Sequence, residues 1–283
     1  MRIAVIALLC LLWVFGGAAV LHASSDEVFT FDVGEFKVSM LSEMQRERDL
    51  EILVGVSDED VAKFIPTGNF PFAMAAFLIQ SPDGAFLVDT GMGNEIPRHL
   101  TSLGVEMGDI KTVFITHAHG DHIGGLLADG SPAYPNAKII VPKLEYDSSE
   151  QLHEILAIYD GNYETITPGA LETGGQEVAP GISAVEAYGH TPGHTMYMLN
   201  SGGQKLLICG DLTHAMAIQM PRPGVTVSFD ADTATAGATR ERVLKYVSDN
   251  KIPVAGMHVP YPGIGDIVPD SDNPGGYEFL PKN

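Results

Sequence analysis

Apolar residues fall mostly into short runs and alternations, with helical spacing in only a few places. Residues 28–31 and 36–41 read as strands on either side of a turn at Gly34, and residues 72–80 and 85–88 as strands joined by Ser81-Pro82-Asp83-Gly84. Proline and glycine in that tetrapeptide supply the fixed and the permissive backbone angles that a tight hairpin needs. Further strands are expected at 113–115, 138–141, 182–187, 195–199 and 205–208, and a last one at 253–257. Leu152, Ile155, Leu156 and Tyr159 recur at helical spacing, so 144–159 is predicted to be an amphipathic helix. Ser57 followed by Asp58, Glu59 and Asp60 is a helix start with acids in its first turn. Asp232 or Thr233 opens another helix, expected to end near residue 247. Strands in two clusters, each followed by helices, predict an α/β fold in which two sheets pack together with helices outside. Periodicity alone does not separate this from an open doubly wound sheet.

The first residues follow a different pattern. Arg2 precedes an apolar run, 3–15, which Gly16-Gly17 interrupts before small residues follow. This is the layout of a secretory signal peptide, so 1–23 is expected to be a leader and 24–283 the folded domain, periplasmic or secreted. Cleavage fits after Ala19 or Ala23, and an uncleaved leader, uncharged from 3 to 21, would hold the protein at a membrane. Loss of the leader leaves Cys209 as the one cysteine, which is read as a buried strand thiol and excludes an intrachain disulfide. With 45% of its 283 residues hydrophobic and 18% charged, the chain has material for a packed core and too little charge for disorder. The formal charge is -20, and loss of Arg2 makes it more acidic still. That field repels polyanions, which argues against nucleic acid as a partner and makes neutral or cationic substrates easier, a small neutral organic molecule being the one expected.

The candidate chemistry concentrates in Thr116-His117-Ala118-His119-Gly120-Asp121-His122, three imidazoles and a carboxylate after a short apolar strand. Imidazole suits zinc and its neighbours, and a carboxylate adds a hard oxygen ligand and negative charge. The run resembles the signature of the metallo-β-lactamase superfamily. Leu87-Val88-Asp89-Thr90-Gly91, Gly189-His190-Thr191-Pro192-Gly193-His194-Thr195, Gly210-Asp211 and Met257-His258 resemble its remaining motifs, in family order. The resemblance implies a four-layer αβ/βα sandwich with a two-metal site at the edge between the sheets. It implies that His117, His119 and His194 hold one divalent ion and that Asp121, His122 and His258 hold the other. Asp211 would bridge both, and Asp89 would fix a histidine through its ring N–H. Zinc is the expected metal. His190 is expected to hydrogen-bond rather than ligate and His214 to line the pocket, while His99 and His153 are placed on solvated helix surfaces.

Two ions sharing a carboxylate can hold a bridging hydroxide, because coordination lowers the pKa of water from about 16 towards about 7. The catalytic residues would then be Asp211, which sets the metals, and Asp121, which orients the hydroxide or passes a proton to the leaving group. The bridging aspartate separates the sequence from true β-lactamases. The short tail after His258 lacks the helical glutathione-binding domain of glyoxalase II. Phe31-Asp32-Val33-Gly34, Asp211-x-x-His214, Pro221-Arg222-Pro223, Phe229-Asp230-x-Asp232 and His258-x-x-Tyr261-Pro262-Gly263 resemble the methyl parathion hydrolase group. That likeness implies hydrolysis of neutral esters, lactones or organophosphate triesters. Phe70, Phe72, Tyr146, Tyr159 and Tyr163 are candidates for the pocket wall, and 144–163 for a partial lid. The alternatives are a mononuclear iron sulfur dioxygenase of the same fold and a β-lactamase-like or glyoxalase II-like thioesterase. The oligomeric state stays open, a homodimer included.

Overall fold

The computed structural model describes residues 28–283, so the leader expected at 1–23 lies outside the described residues. Two seven-stranded sheets carry the fold, and in each the strands lie side by side in chain order. The first holds β1 (Val28–Val33), β2 (Phe36–Asp49), β3 (Asn69–Ser81), β4 (Gly84–Val88), β5 (Ile110–Phe114), β6 (Lys138–Pro142) and β7 (Tyr163–Ile166). The second holds β8 (Gln176–Ala179), β9 (Ile182–Glu186), β10 (Thr195–Ser201), β11 (Gln204–Ile208), β12 (Val254–Ala255), β13 (Ile264–Pro269) and β14 (Tyr277–Pro281). Pairing is antiparallel from β1 to β4 and parallel from β4 to β7. In the second sheet only β11 and β12 run parallel.

β3 shows how the layers form. Its Ala73, Ala75, Phe77 and Ile79 join Tyr197, Leu199 and Ile208 in the core between the sheets. Ala76 and Leu78 point the other way, into a cluster with Ile96, Leu100, Leu152 and Leu156 from the outer helices. A strand buried on both faces must be apolar throughout, which is why this run does not alternate. Burying a side chain of the size of Phe77 contributes about 1.5–3 kcal/mol. On the far side, Val243, Leu244 and Val247 of the helix Thr233–Asn250 cover Met196, Met198 and Leu207. The layers therefore run helix, sheet, sheet, helix, and this is the expected four-layer sandwich.

Both expected helix caps are present: the Ser57 side chain accepts the Asp60 N–H and the Asp232 side chain accepts the Thr235 N–H. Several elements depart from the sequence pattern. β2 continues through charged residues to Asp49, because Gln45 to Asp49 keep pairing with Ala73 to Asn69 of β3. The helix expected over 144–159 is two, Lys143–Ser148 and Glu150–Ile158, with Ser149 capping the second by accepting the Leu152 N–H. His99 does lie on a helix, Ile96–Ser102, but it is buried with Nε2 2.9 Å from the Ser42 carbonyl, not solvated. β13 and β14 fall in the tail that the sequence left without structure.

Candidate metal centre

β4, β5, β11 and β12 each end within three residues of a group with chemistry: Asp89, Thr116, Asp211 and His258. Asp89 has φ 57°, a left-handed turn that sends its buried carboxylate back under the neighbouring loop. One oxygen accepts the Thr116 N–H at 2.8 Å. The other accepts the Thr116 hydroxyl at 2.7 Å and the His122 Nδ1–H at 2.7 Å. The Thr116 oxygen in turn takes the His117 Nδ1–H at 3.0 Å. His258 donates Nδ1–H to the Ala73 carbonyl at 2.7 Å, and His190 donates Nδ1–H to Asp230 at 2.8 Å. Each of these rings spends its outer N–H on a fixed acceptor and turns Nε2 inward, the orientation typical of metal-ligating histidines.

The inward atoms meet around Asp211, which is 2% exposed. Its Oδ2 lies 3.0 Å from His258 Nε2, 3.1 Å from His214 Nε2, 3.2 Å from His190 Nε2 and 3.5 Å from His117 Nε2. Its Oδ1 is 3.2 Å from His122 Nε2. Asp121 reaches in from the side, 3.8 Å from His122 Nε2 and 3.6 Å from His258 Nε2. His119 Nδ1 sits 2.9 Å from His117 Nε2 and 3.1 Å from His190 Nε2. Three overlapping ligand groups follow from these distances: His117, His119, His190 and Asp211 on one side, Asp121, His122 and His258 on the other, and Asp211, His214 and His258 between them.

His194 is the exception among the residues expected to ligate. Its Nδ1–H goes to the Ala187 carbonyl at 2.9 Å, and its Nε2 accepts the Asp211 backbone N–H at 3.0 Å. With both nitrogens engaged it stands behind Asp211 and holds that residue's backbone. His190, expected only to hydrogen-bond, points into the cluster instead. Gly210 completes the arrangement: its φ is 53°, and a Cβ there would fall 2.4 Å from His194 Nε2. Gly189-His190-Thr191-Pro192-Gly193-His194 offers two histidines four residues apart, and nothing local in the sequence chooses between them. The partner that distinguishes His190 is Asp230, distant in sequence. Glu145 also escaped notice. Buried beside the cluster, it accepts the Ala118 N–H at 2.9 Å, the Gly193 N–H at 2.7 Å and the Thr191 hydroxyl at 2.6 Å. It thereby ties the loop of His117 and His119 to the loop of His190.

These groups fit divalent metal ions. His122 Nε2 and Asp211 Oδ1 are buried without a hydrogen-bond partner although they face each other. With its outer N–H committed, His122 turns a lone pair toward a carboxylate, and two acceptors face to face need a cation between them. The nitrogens of His117, His119 and His190 pose the same demand. In the metal-free chain, protons answer it. Burial opposes a charge on His122, but Asp211, Asp89 and Asp121 raise it well above the histidine range. Burial likewise opposes a charge on His190, while Asp211 and Asp230 push it up to about 9. Asp211 is held well below the usual carboxylate range, its burial outweighed by the surrounding histidines. His194, desolvated and beside His190, is pushed down to about 3, as suits a neutral ring that accepts an N–H. Imidazoles with hard carboxylates are a donor set for zinc and similar ions.

A cavity of about 450 Å³ opens over the cluster, within the size range of small-molecule sites. Beyond the ligand groups its walls are Arg46, Arg48, Phe72, Met74, Met92 and Phe229, with His214 beside Asp211 as expected. Of the five aromatic residues proposed for the wall, only Phe72 lines it. Phe70 is buried with Ile52, Ile65 and Val225, and the Tyr159 hydroxyl donates to the Leu126 carbonyl. The Tyr146 and Tyr163 hydroxyls bond to each other at 3.1 Å. No residue of 144–163 lines this cavity, because Leu152, Leu156 and Tyr159 are spent on the outer face of the first sheet. The expected lid is absent from the cavity wall among the described residues.

The family model of the metallo-beta-lactamase superfamily matches residues 71–254. An N-acyl homoserine lactonase of Bacillus sp is 28% identical over 200 residues, 60% of this chain and 72% of that protein. The N-acyl homoserine lactonase of Bacillus cereus is 26% identical, with 60% of its length matched. A hydroxyacylglutathione hydrolase of Cupriavidus metallidurans is 27% identical over 57% of this chain and 59% of its own. Among solved structures, the dizinc quorum-quenching lactonase AidC aligns with a TM-score of 0.79 at 24% identity, over 90% of this chain and 97% of its own. The hydrolase AbOPH gives the same TM-score and the same coverage at 21% identity. At these identities the structural likeness concerns the fold.

Proposed function

The chain belongs to the metallo-β-lactamase superfamily, and on that premise we propose that it is a two-metal hydrolase of lactones and related esters. The observation that carries this reading is the convergence of inward-facing imidazole nitrogens on the buried, partnerless oxygen of Asp211 at the floor of an open cavity. His117, His119 and His190 would hold one divalent ion, Asp121, His122 and His258 the other, and Asp211 would serve both. Bound there, the ions would acidify a water and polarise the scissile oxygen. Zinc is the ion proposed, a choice supported by the donor set and by the dizinc neighbour AidC.

The protein's own groups divide the remaining work. Asp89, Asp230, Thr116 and the Ala73 carbonyl fix the tautomers, so the rings need no reorientation. Asp121 is the most exposed of the cluster's carboxylates, with 21% side-chain exposure, and borders the cavity. It is placed to take a proton from the attacking water and return it to the leaving oxygen. Phe72, Met74, Met92 and Phe229 exclude water and hold the apolar part of the substrate.

A lactone is the first substrate to test, since relatives both by sequence and by structure are lactonases. Aryl esters, and the organophosphate triesters implied by the methyl parathion hydrolase resemblance, follow. Export through a cleaved leader is part of the proposal, and N-terminal sequencing of the mature protein tests it. The function is tested by assaying metal-loaded protein against lactones, aryl esters and phosphotriesters, alongside metal analysis. Lactone or ester turnover that disappears on chelation is expected. One iron per chain with sulfur dioxygenation, or a preference for thioesters, would replace the reading.

A further inference from the structure

One feature of the cavity wall goes against the charge of the whole molecule. The chain carries a formal charge of -20, yet the only ionisable groups on this wall outside the histidine and aspartate cluster are Arg46 and Arg48. They stand two residues apart at the end of β2, on the same face of the strand. Their partners are aromatic. The Arg48 guanidinium lies 5.0 Å from the centre of the Phe72 ring and 5.1 Å from that of Phe229, and Arg46 lies 5.8 Å from Phe72. Neither makes an ion pair or a side-chain hydrogen bond among the described residues. Burial and the like charge of Arg46 both weaken the hold of Arg48 on its proton, with the charges of Asp49, Glu51 and Asp121 opposing.

Two cations held side by side, opposed by Asp49, Glu51 and Asp121 but with no carboxylate in direct contact, can each still take an anion. A guanidinium attracted to a ring makes no hydrogen bond to it, so its N–H groups stay available to grip a carboxylate with two bonds. The arginines also sit at a useful distance from the chemistry. Phe72, over which the Arg48 guanidinium lies, stacks in turn on His258 with ring centres 4.7 Å apart. A ligand spanning from the cluster to Arg48 crosses Phe72 and needs a few carbons between its two ends.

We infer that Arg46 and Arg48 form an anion subsite, so that the substrate carries a carboxylate a few carbons from its scissile ester or lactone bond. The inference rests on the hydrolytic reading above and narrows it: the substrate is neutral at the reacting bond and anionic at its far end. The acidic surface repels such a molecule at long range, and the two arginines reward it once inside.

The test uses metal-loaded protein and two aryl esters with one leaving group: the 4-nitrophenyl half-ester of adipate, with a free carboxylate, and its methyl-capped counterpart. Each kcat/KM is divided by the uncatalysed rate, in the wild type and in the R46Q, R48Q and R46Q/R48Q variants, with circular dichroism to check folding. The wild type is expected to favour the free carboxylate by roughly tenfold or more, and the double variant to lose that preference. Equal use of both esters by the wild type, or a preference that survives in the double variant, would overturn the subsite. Calorimetric binding of monomethyl adipate against dimethyl adipate gives a second readout independent of turnover. If neither aryl ester is cleaved but monomethyl adipate binds about tenfold tighter than the dimethyl ester only when the arginines are present, the subsite stands and the hydrolytic reading falls. If monomethyl and dimethyl adipate bind alike, the subsite falls.

Discussion

Replacing Glu145 by glutamine tests whether the two histidine loops are held by one buried carboxylate. Glu145 is 2% exposed and receives three hydrogen bonds on two oxygens. Glutamine keeps one acceptor oxygen, which can still serve the Gly193 N–H and the Thr191 hydroxyl. Its amide NH₂ then faces the Ala118 N–H, donor against donor. The charged hydrogen bond lost there is worth about 1.5–3 kcal/mol, and the other two weaken as their acceptor loses its charge. A net destabilisation of about 3 kcal/mol is therefore expected. The fault also reaches the metal centre, because Ala118 lies between His117 and His119 while Thr191 follows His190. Loosening groups that orient ligands typically costs about 10–100-fold in metal affinity. Urea unfolding at fixed metal concentration and chelator competition measure the two effects. Glu154→Gln, on an exposed part of the helix Glu150–Ile158, is the control and should stay within about 0.5 kcal/mol of the wild type. A loss below about 1 kcal/mol for Glu145→Gln, with unchanged metal affinity, would refute the reasoning.

His190→Ala should remove one metal ion per chain, whereas His194→Ala, which frees the Asp211 N–H, should act first on stability; metal analysis and thermal unfolding of both variants separate these roles. Metal uptake at pH 7 should release protons, because His190, pushed up to about 9, and His122, raised well above the usual range, are both protonated in the metal-free chain and must be neutral to ligate. The same sign makes apparent metal affinity rise with pH up to about 9, and calorimetry in buffers of different ionisation enthalpy checks it. Gly210→Ala should destabilise by about 2 kcal/mol or more, since its backbone is left-handed and the new methyl meets His194; chemical unfolding measures this.

What the sequence made legible was local. The turn at Ser81 to Gly84, the caps Ser57 and Asp232, and the cluster from His117 to His122 are each defined by neighbours within a few residues. What it hid depends on partners distant in the chain. The charged half of β2 is a strand because β3 lies alongside and because Arg46 and Arg48 rest on aromatic rings, neither of which its own pattern announces. β12 was expected to continue to residue 257, but the chain leaves the sheet after Ala255, at Gly256, where a Cβ would meet Val259 at 2.5 Å. The choice of His190 over His194 is set by Asp230 and Ala187, which the spacing within the motif cannot express.

On the proposed reading Asp211 sits between two metal ions, with His190 and not His194 at its side. Anomalous diffraction from crystals of metal-loaded protein tests it most directly. Two anomalous peaks flanking Asp211 are expected, the first held by His117, His119 and His190, the second by Asp121, His122 and His258. A single peak, or a peak ligated by His194 with His190 turned away, would contradict it.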